Sequence, residues 1–271
     1  MHLLIYIFSY PIIKIISLLP FRIIYILSST FSLLLRNIFR YRLDTVRKNL
    51  KLVFPEKSSN EIIKIEKDFY KHFSDISFES IKAYGMTKSE MNSRYKYENI
   101  ELLHQIQKKS KNFIIICGHY SNFEWLLSIG YNVKGNGYGI YTPMSNKFFN
   151  NLFKKIRKKH NAYLISRYRI DDFIQNINPN KYHFFGFASD QSPRKIGKSY
   201  ISKFLGQRVP ICTGAERFSK QYNLSVVFAD VSRTKTGFYS TKFTEIVNTK
   251  NSRYNITDQF LKLLENQIYR D

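Results

Sequence analysis

Acidic residues are scarce in this chain: 20 Asp and Glu stand against 43 Lys and Arg, a formal net charge of +23. Such a balance favours anionic partners, although Lys, Asn and Ile are frequent throughout and part of the charge is general residue bias. Cysteine is scarcer still. Two residues, Cys117 and Cys212, exclude a disulfide framework and a cysteine-based zinc cluster, and they fit a reducing compartment. The six histidines fall in no ligand-like spacing, so neither a metal nor another cofactor is expected. Nucleotide-binding glycine patterns are missing: the "GKS" at Gly197 to Ser199 has Ser192 where a P-loop needs glycine, and "GNGYG" lacks the dinucleotide spacing. There is no G-x-S-x-G elbow of a serine hydrolase. No RNP, KH or zinc pattern accompanies the interleaved Tyr, Phe and Lys, so a nucleic-acid partner is not expected. No apolar run reaches the ~20 uncharged residues of a simple transmembrane helix.

What is present divides at about residue 39. "MHLLIYIFSYPIIKIISLLPFRIIYILSSTFSLLLRNIF" is almost wholly apolar, interrupted by Pro11, Lys14, Pro20 and Arg22. A central lysine costs roughly 3 kcal/mol on the insertion scale, whereas each of the twelve Leu, Ile and Phe from Leu3 to Phe21 returns about 0.3 to 0.6, so the sum leans toward the membrane. Residues 1–39 are therefore expected to be a hydrophobic, helical membrane anchor. The alternative is a buried hairpin of two core helices. Basic residues cluster just afterwards, at Arg36, Arg40, Arg42, Arg47 and Lys48, which places the body of the protein on the cytoplasmic side. With no basic region ahead of Leu3 and no small-residue cleavage site, a cleavable signal peptide fits poorly.

From residue 40 to 271 the pattern is that of one α/β domain. Pro55 precedes a Ser58/Glu61 capping box, and Ile62, Ile65, Phe69, Phe73 and Ile76 then recur at helical spacing. Short β-type runs follow at "NFIIIC", "GYGIYTP", "AYLIS", "YHFFGFA" and "LSVVFADV", separated by helical stretches such as residues 146 to 159, where Phe148, Phe149, Leu152, Phe153 and Ile156 form one apolar face that can pack into the core. Strands alternating with helices predict a mixed sheet flanked by helices.

The most informative stretch is "NFIIICGHYSNFEW", from Asn112 to Trp125. "FIIIC" is short and β-branched, so it reads as a central strand; Gly118 ends it and leaves His119 at its carboxyl end, where ligands of open α/β sheets bind. Taken singly, the polar residues have plain readings. Ser121 and Glu124 can form a capping box, and His119 can be a satisfied turn residue. Taken together, a carboxylate in the first helical turn can fix the tautomer of a histidine at the strand end, making a general base. Cys117 would share a face with His119, but a small thiol at a buried strand end is more often structural than nucleophilic.

"GHYSNFEW" resembles the H-x4-D/E motif of lysophospholipid-type acyltransferases, and its wording is most similar to the bacterial lipid A biosynthesis (lauroyl/myristoyl) acyltransferases. "LPFRIIYILSSTFSLLLRNIFRYR" resembles their membrane-anchoring start, "VRKNLKLVFPE" the stretch before their first long helix, "YTPMSNKFFNNLFKKIRKKHNAYLIS" their second block and "ASDQSPRK" their third. The resemblance implies transfer of a fatty acyl chain from acyl carrier protein to a hydroxyl of a lipid A precursor, at the cytoplasmic face of the inner membrane, in contact with membrane lipid. It implies His119 as base with Glu124 as its partner, and marks Arg157 and Asp190 as substrate-site residues. Arg157 would bind a lipid phosphate or assist the oxyanion, and Asp190 would hold that arginine or a sugar hydroxyl. Arg194 and Lys195 would meet phosphates, and the lysines beside Arg157 would meet anionic lipid or the acidic carrier. Two departures stand out: Thr142 sits where many members carry a basic residue, and the chain stops at "LLENQIYRD", where the family continues into a Pro-, Trp- and Arg-rich segment. Other readings remain open: a lysophospholipid or other glycolipid acceptor, or a non-catalytic binder of anionic lipid or nucleic acid.

Overall fold

A computed structural model of the chain describes residues 2–178, 180–193, 199–249 and 252–270. The chain separates into two compact units, one of residues 8–86 with 205–207, the other of the remainder. Among the described residues the α-helices are, in chain order, α1 (His2–Leu18), α2 (Phe21–Leu33), α3 (Leu43–Val53), α4 (Ser59–Lys82), α5 (Lys88–Arg94), α6 (Glu101–Lys109), α7 (Lys147–Lys159), α8 (Ile170–Gln175), α9 (Gly214–Tyr222) and α10 (Asn255–Arg270).

The larger unit is built on a seven-stranded sheet. In chain order its strands are β1 (Tyr95–Tyr97), β2 (Asn112–Cys117), β3 (Asn136–Tyr141), β4 (Ala162–Ser166), β5 (His183–Ala188), β8 (Ser225–Lys235) and β9 (Phe238–Ile246), and their spatial order is β1-β9-β8-β2-β5-β3-β4. All pairings are parallel except β8 with β9, so the sheet is mixed, as the alternation of strands and helices predicts. β6 (Tyr200–Phe204) and β7 (Gln207–Ile211) form a separate hairpin. β2 lies at the centre with both faces covered, which explains its unbroken apolar run. Its residues alternate. Ile114 and Ile116, with Phe185, Val226 and Phe228, join a core closed by Phe218 of α9 (Gly214–Tyr222) and by Phe260 and Leu264 of α10 (Asn255–Arg270). Phe113, Ile115 and Cys117 are buried on the opposite face. β9 escapes the sequence pattern because polar residues interrupt it, yet Tyr239, Thr241 and Phe243 are all buried.

The smaller unit is helical. α2 (Phe21–Leu33) continues through one wider turn to Ile38, and the stretch from Phe21 to Ile38 is, by length and composition, long and apolar enough to cross a membrane. It pairs with α4 (Ser59–Lys82), which begins at the predicted Ser58/Glu61 capping box. The burial of α4 does not follow its apolar stripe. Its buried positions include Glu66, Ser74, Asp75 and Glu79, whereas Phe69 and Phe73 of the apolar stripe are exposed. Polar groups from α2 meet that buried row: Ser28 Oγ donates to Asp75 at 2.5 Å, Tyr25 OH to Glu79 at 2.8 Å and Arg36 Nε to Glu66 at 2.8 Å. Lys71 also pairs with Asp75. Buried carboxylates are tolerated only with such partners, so the seam specifies which faces of α2 and α4 meet.

Asp75→Ala would leave the buried Ser28 hydroxyl and Lys71 without their acceptor. A loss of about 3 kcal/mol is expected in chemical denaturation of the detergent-solubilised protein, against a change within about 0.5 kcal/mol for Ile63→Ala on the exposed face of the same helix. Equal, small effects from both substitutions would show that the polar seam does not hold the unit.

Candidate active site

The site is assembled by strand register. β2 and β5 run parallel and side by side, with Cys117 opposite Ala188. One further ladder bond continues the pairing, Ser189 N–H donating to Cys117 O at 3.0 Å. Two residues past each strand end therefore stand next to one another, and these are His119 and Asp190. Asp190 grips the histidine twice: Oδ1 lies 2.5 Å from the imidazole Nδ1, and Oδ2 accepts the His119 backbone N–H at 3.0 Å. Ring and main chain of one residue are thus held by one carboxylate. With Nδ1 donating to Asp190, Nε2 carries the lone pair. The Gln191 side-chain nitrogen lies 3.4 Å from it, and the Phe123 ring meets the imidazole edge-on at 4.7 Å.

Glu124 has a different partner from the one its spacing suggests. Its carboxylate receives the Arg157 guanidinium, with Nη2 at 2.7 Å from both oxygens and Nε at 3.2 Å from Oε2. The expected pairs are therefore exchanged: Asp190 orients the histidine, and Glu124, not Asp190, holds the arginine. The cause is local. The anticipated Ser121/Glu124 capping box does not form; the chain turns through Ser121 at φ +50°, and Asn122 Oδ1 instead accepts Trp125 N–H at 3.0 Å at the start of a 3-10 turn over Trp125–Tyr131. Ser121 Oγ is buried with no hydrogen-bond partner among the described residues. Arg157 sits on α7 (Lys147–Lys159), capped by the Asn146 side chain. On that helix Leu152 and Ile156 are buried as the apolar face predicts, and Arg157 points to the site although its neighbours are the basic run "KKIRKK". Both pairs are partly screened, with side-chain exposures of 34 % and 23 % for His119 and Asp190, and 18 % and 25 % for Arg157 and Glu124. Arg194 and Lys195 lie outside the described residues.

His119, Glu124, Arg157 and Gln191 stand at one end of a cavity of about 500 Å³. Its other end is apolar, with Ile115, Leu126, Ile129, Ala162, Leu164 and Phe184 among the lining residues. Thr142 and Arg167 also line it; Arg167 follows the end of β4, and only the strand's position in the sheet reveals that it reaches this cavity. Cys117 lines it too but is a poor nucleophile: burial, reinforced by the negative charges of Asp190 and Glu124, pushes its thiol far above the usual range. Among the described residues no group of three or more His, Cys, Asp or Glu is placed to hold a metal ion.

An α/β sheet carrying a His–Asp pair at the mouth of an apolar cavity is an arrangement for proton transfer beside a lipophilic ligand. The family model of bacterial lipid A biosynthesis acyltransferases matches residues 2–271, and the chain belongs to that family. It is similar to the lipid A biosynthesis palmitoleoyltransferase of Escherichia coli K12 and to a lipid A biosynthesis acyltransferase of Shigella flexneri, at 22 % identity over 205 residues in each case. Each match covers 74 % of this chain and 65 % of the relative, so it spans just under two thirds of the relatives' length.

Because the Cys117 thiol is buried and held protonated, alkylation by iodoacetamide at mildly basic pH is expected to spare Cys117 in the folded protein. Cys117→Ala should keep activity within about threefold of wild type. Rapid labelling of Cys117, or loss of turnover in Cys117→Ala at an unchanged melting temperature, would restore the thiol as a nucleophile.

Proposed function

We propose that the protein transfers a fatty acyl chain from acyl carrier protein to a hydroxyl group of a lipid A precursor, with His119 as the general base. The observation that carries this reading is the doubly anchored His119–Asp190 pair opening onto a cavity that is polar at one end and apolar at the other. Nδ1–H donates to Asp190, so Nε2 is the proton acceptor. It takes the proton of the acceptor hydroxyl as that oxygen attacks the thioester carbonyl carbon. The resulting tetrahedral oxyanion collapses with cleavage of the C–S bond, and the imidazolium returns the proton to the departing thiolate. Asp190 stabilises the imidazolium between those two events. No acyl-enzyme forms. Base catalysis contributes about 10²- to 10⁴-fold, and holding donor and acceptor together supplies much of the remainder.

Glu124 acts through Arg157. A guanidinium fixed by a two-oxygen contact presents its remaining N–H groups in a set direction, suited to a phosphate of the acceptor or to the thioester oxygen. The lysines of α7 and Arg167 at the cavity suit an acidic carrier protein and anionic lipid. Residues 1–39 serve as the membrane anchor of a catalytic domain formed by residues 40–271, at the cytoplasmic face of the inner membrane. The smaller unit supports membrane association: Ile12, Ile15, Leu18, Ile26, Leu33 and Phe69 are exposed while Glu66, Asp75 and Glu79 are buried, an arrangement suited to acyl chains rather than water.

Membranes containing the full chain are to be assayed with acyl carrier protein thioesters and a lipid A precursor, with a lysophospholipid as the competing acceptor. His119→Ala and Asp190→Asn should each lower turnover by about 10²-fold or more, and the double variant little further, because the two residues act as one unit. Glu124→Gln and Arg157→Lys should likewise be non-additive with each other, and their loss should fall more on KM for the phosphorylated acceptor. Coupling of Glu124 to His119 instead would reinstate the dyad that the sequence spacing suggests. Full activity in His119→Ala would overturn the mechanism, and transfer to the lysophospholipid alone would reassign the acceptor.

A further inference from the structure

The apolar end of the cavity has a floor made of backbone. Ile115 of β2, Gly186 of β5, Gly139 of β3 and Leu164 of β4 stand in register across four neighbouring strands, share one face of the sheet and all line the cavity. The two middle members have no side chain; Leu164 and Leu127 pack over Gly139, and a trough is left over Gly186. A glycine inside a central strand weakens it, so each one calls for a reason.

Neighbouring glycines have ordinary reasons. Gly135 sits at φ +101°, and a Cβ there would lie 2.2 Å from Tyr182 O. A Cβ at Gly137 would lie 2.4 Å from the Phe184 ring. Gly139 is tight by a smaller margin, its Cβ meeting Leu164 Cδ2 at 3.1 Å. Gly186 has neither reason. Its φ is not in the positive range, and a Cβ would meet nothing nearer than Tyr138 O at 3.9 Å and the Gly139 Cα at 4.0 Å. What the missing side chain leaves at Gly186 is open space inside the cavity.

We propose that Gly186 is the specificity-determining position that sets how far a hydrocarbon chain enters the site. Phe184, two residues back along β5 and stacked on Phe113 at 5.6 Å, closes the far end. From Ala188, level with Cys117 beside the catalytic mouth, to Phe184 is a run of roughly 13 Å along the strand. An extended acyl chain entering beside His119 lies over Gly186 before its end reaches Phe184. A side chain at Gly186 therefore obstructs long chains and leaves short ones unaffected. The assignment rests on the acyl-transfer reading for its ligand, and it is tested with a binding measurement that does not require turnover.

The full chain in phospholipid nanodiscs, as wild type, Gly186→Ala, Gly186→Val and Phe184→Leu, is offered a ladder of saturated acyl carrier protein thioesters in competition. Separately, a ladder of saturated fatty acids displaces a fluorescent polyene fatty acid from the same samples. Gly186→Val should move the long-to-short preference by about 10-fold or more toward short chains in both measurements. Gly186→Ala should move it in the same direction by less, and Phe184→Leu toward longer chains. Identical length profiles for wild type and Gly186→Ala, with the melting temperature unchanged, would overturn the proposal even if Gly186→Val fails to fold. Length-dependent fatty acid binding that shifts with Gly186, in a protein that transfers no acyl group, would support the trough and count against the proposed function. Absence of both transfer and fatty acid binding in wild type would remove both.

Discussion

The register of β2 against β5 governs everything else about the site. Six in-register pairs, from Asn112 opposite His183 to Cys117 opposite Ala188, tie together segments 71 residues apart. A slip of one residue would turn every side chain of β5 to the other face. It would take Asp190 from His119, point Phe185 out of the α9/α10 core and remove Gly186 from the cavity. The core and the site thus demand the same register, and the apolar contacts of Ile114, Ile116 and Phe185 are what hold a carboxylate 2.5 Å from an imidazole at the strand ends. Positioning of this kind costs nothing at the moment of reaction, because folding has already fixed it.

The identity of the histidine's partner was legible only in principle. Both "NFIIIC" and "YHFFGFA" read as strands from composition, and His119 and Asp190 each follow a strand end by two residues. Aligning those ends would have paired them, but local spacing offered a nearer carboxylate, Glu124. Spacing alone could not reveal that Ser121 adopts a left-handed conformation and that Asn122 takes over the capping role. Nor could it reveal that α7 delivers a permanent cation to Glu124. A guanidinium that can form three close N–H···O contacts with one carboxylate competes strongly against an imidazole offering one N–H.

The fold was more legible than the site, and its errors have a common cause. All five predicted strands are present, together with the capped start of α4 and the buried face of α7. The strand β9 and the three-residue β1 were missed because their partners, not their patterns, make them strands. Which face of α4 is buried was not legible, because periodicity locates an apolar stripe without saying what faces it. Tyr25, Ser28 and Arg36, on α2 and its wider last turn, are spaced by three and eight residues and so share one face, which is the polar counterpart that Glu66, Asp75 and Glu79 require.

The two units distribute their polar groups differently. In the sheet unit apolar groups fill the interior, and the ionisable site sits at the open ends of the strands, partly exposed to water. In the helical unit buried carboxylates find hydroxyl and guanidinium partners beside Ile24, Leu43 and Ile62, and many other leucine, isoleucine and phenylalanine side chains are turned outward. Burying charge in this way adds little net stability, since replacement by well-packed apolar residues is often neutral or better. Its effect is on specificity. In a medium as apolar as the residues themselves, hydrophobic burial cannot choose which helix faces meet, whereas hydrogen bonds between Ser28 and Asp75 or Tyr25 and Glu79 can. A polar seam with an apolar exterior is thus what a helical unit needs if its surroundings are lipid.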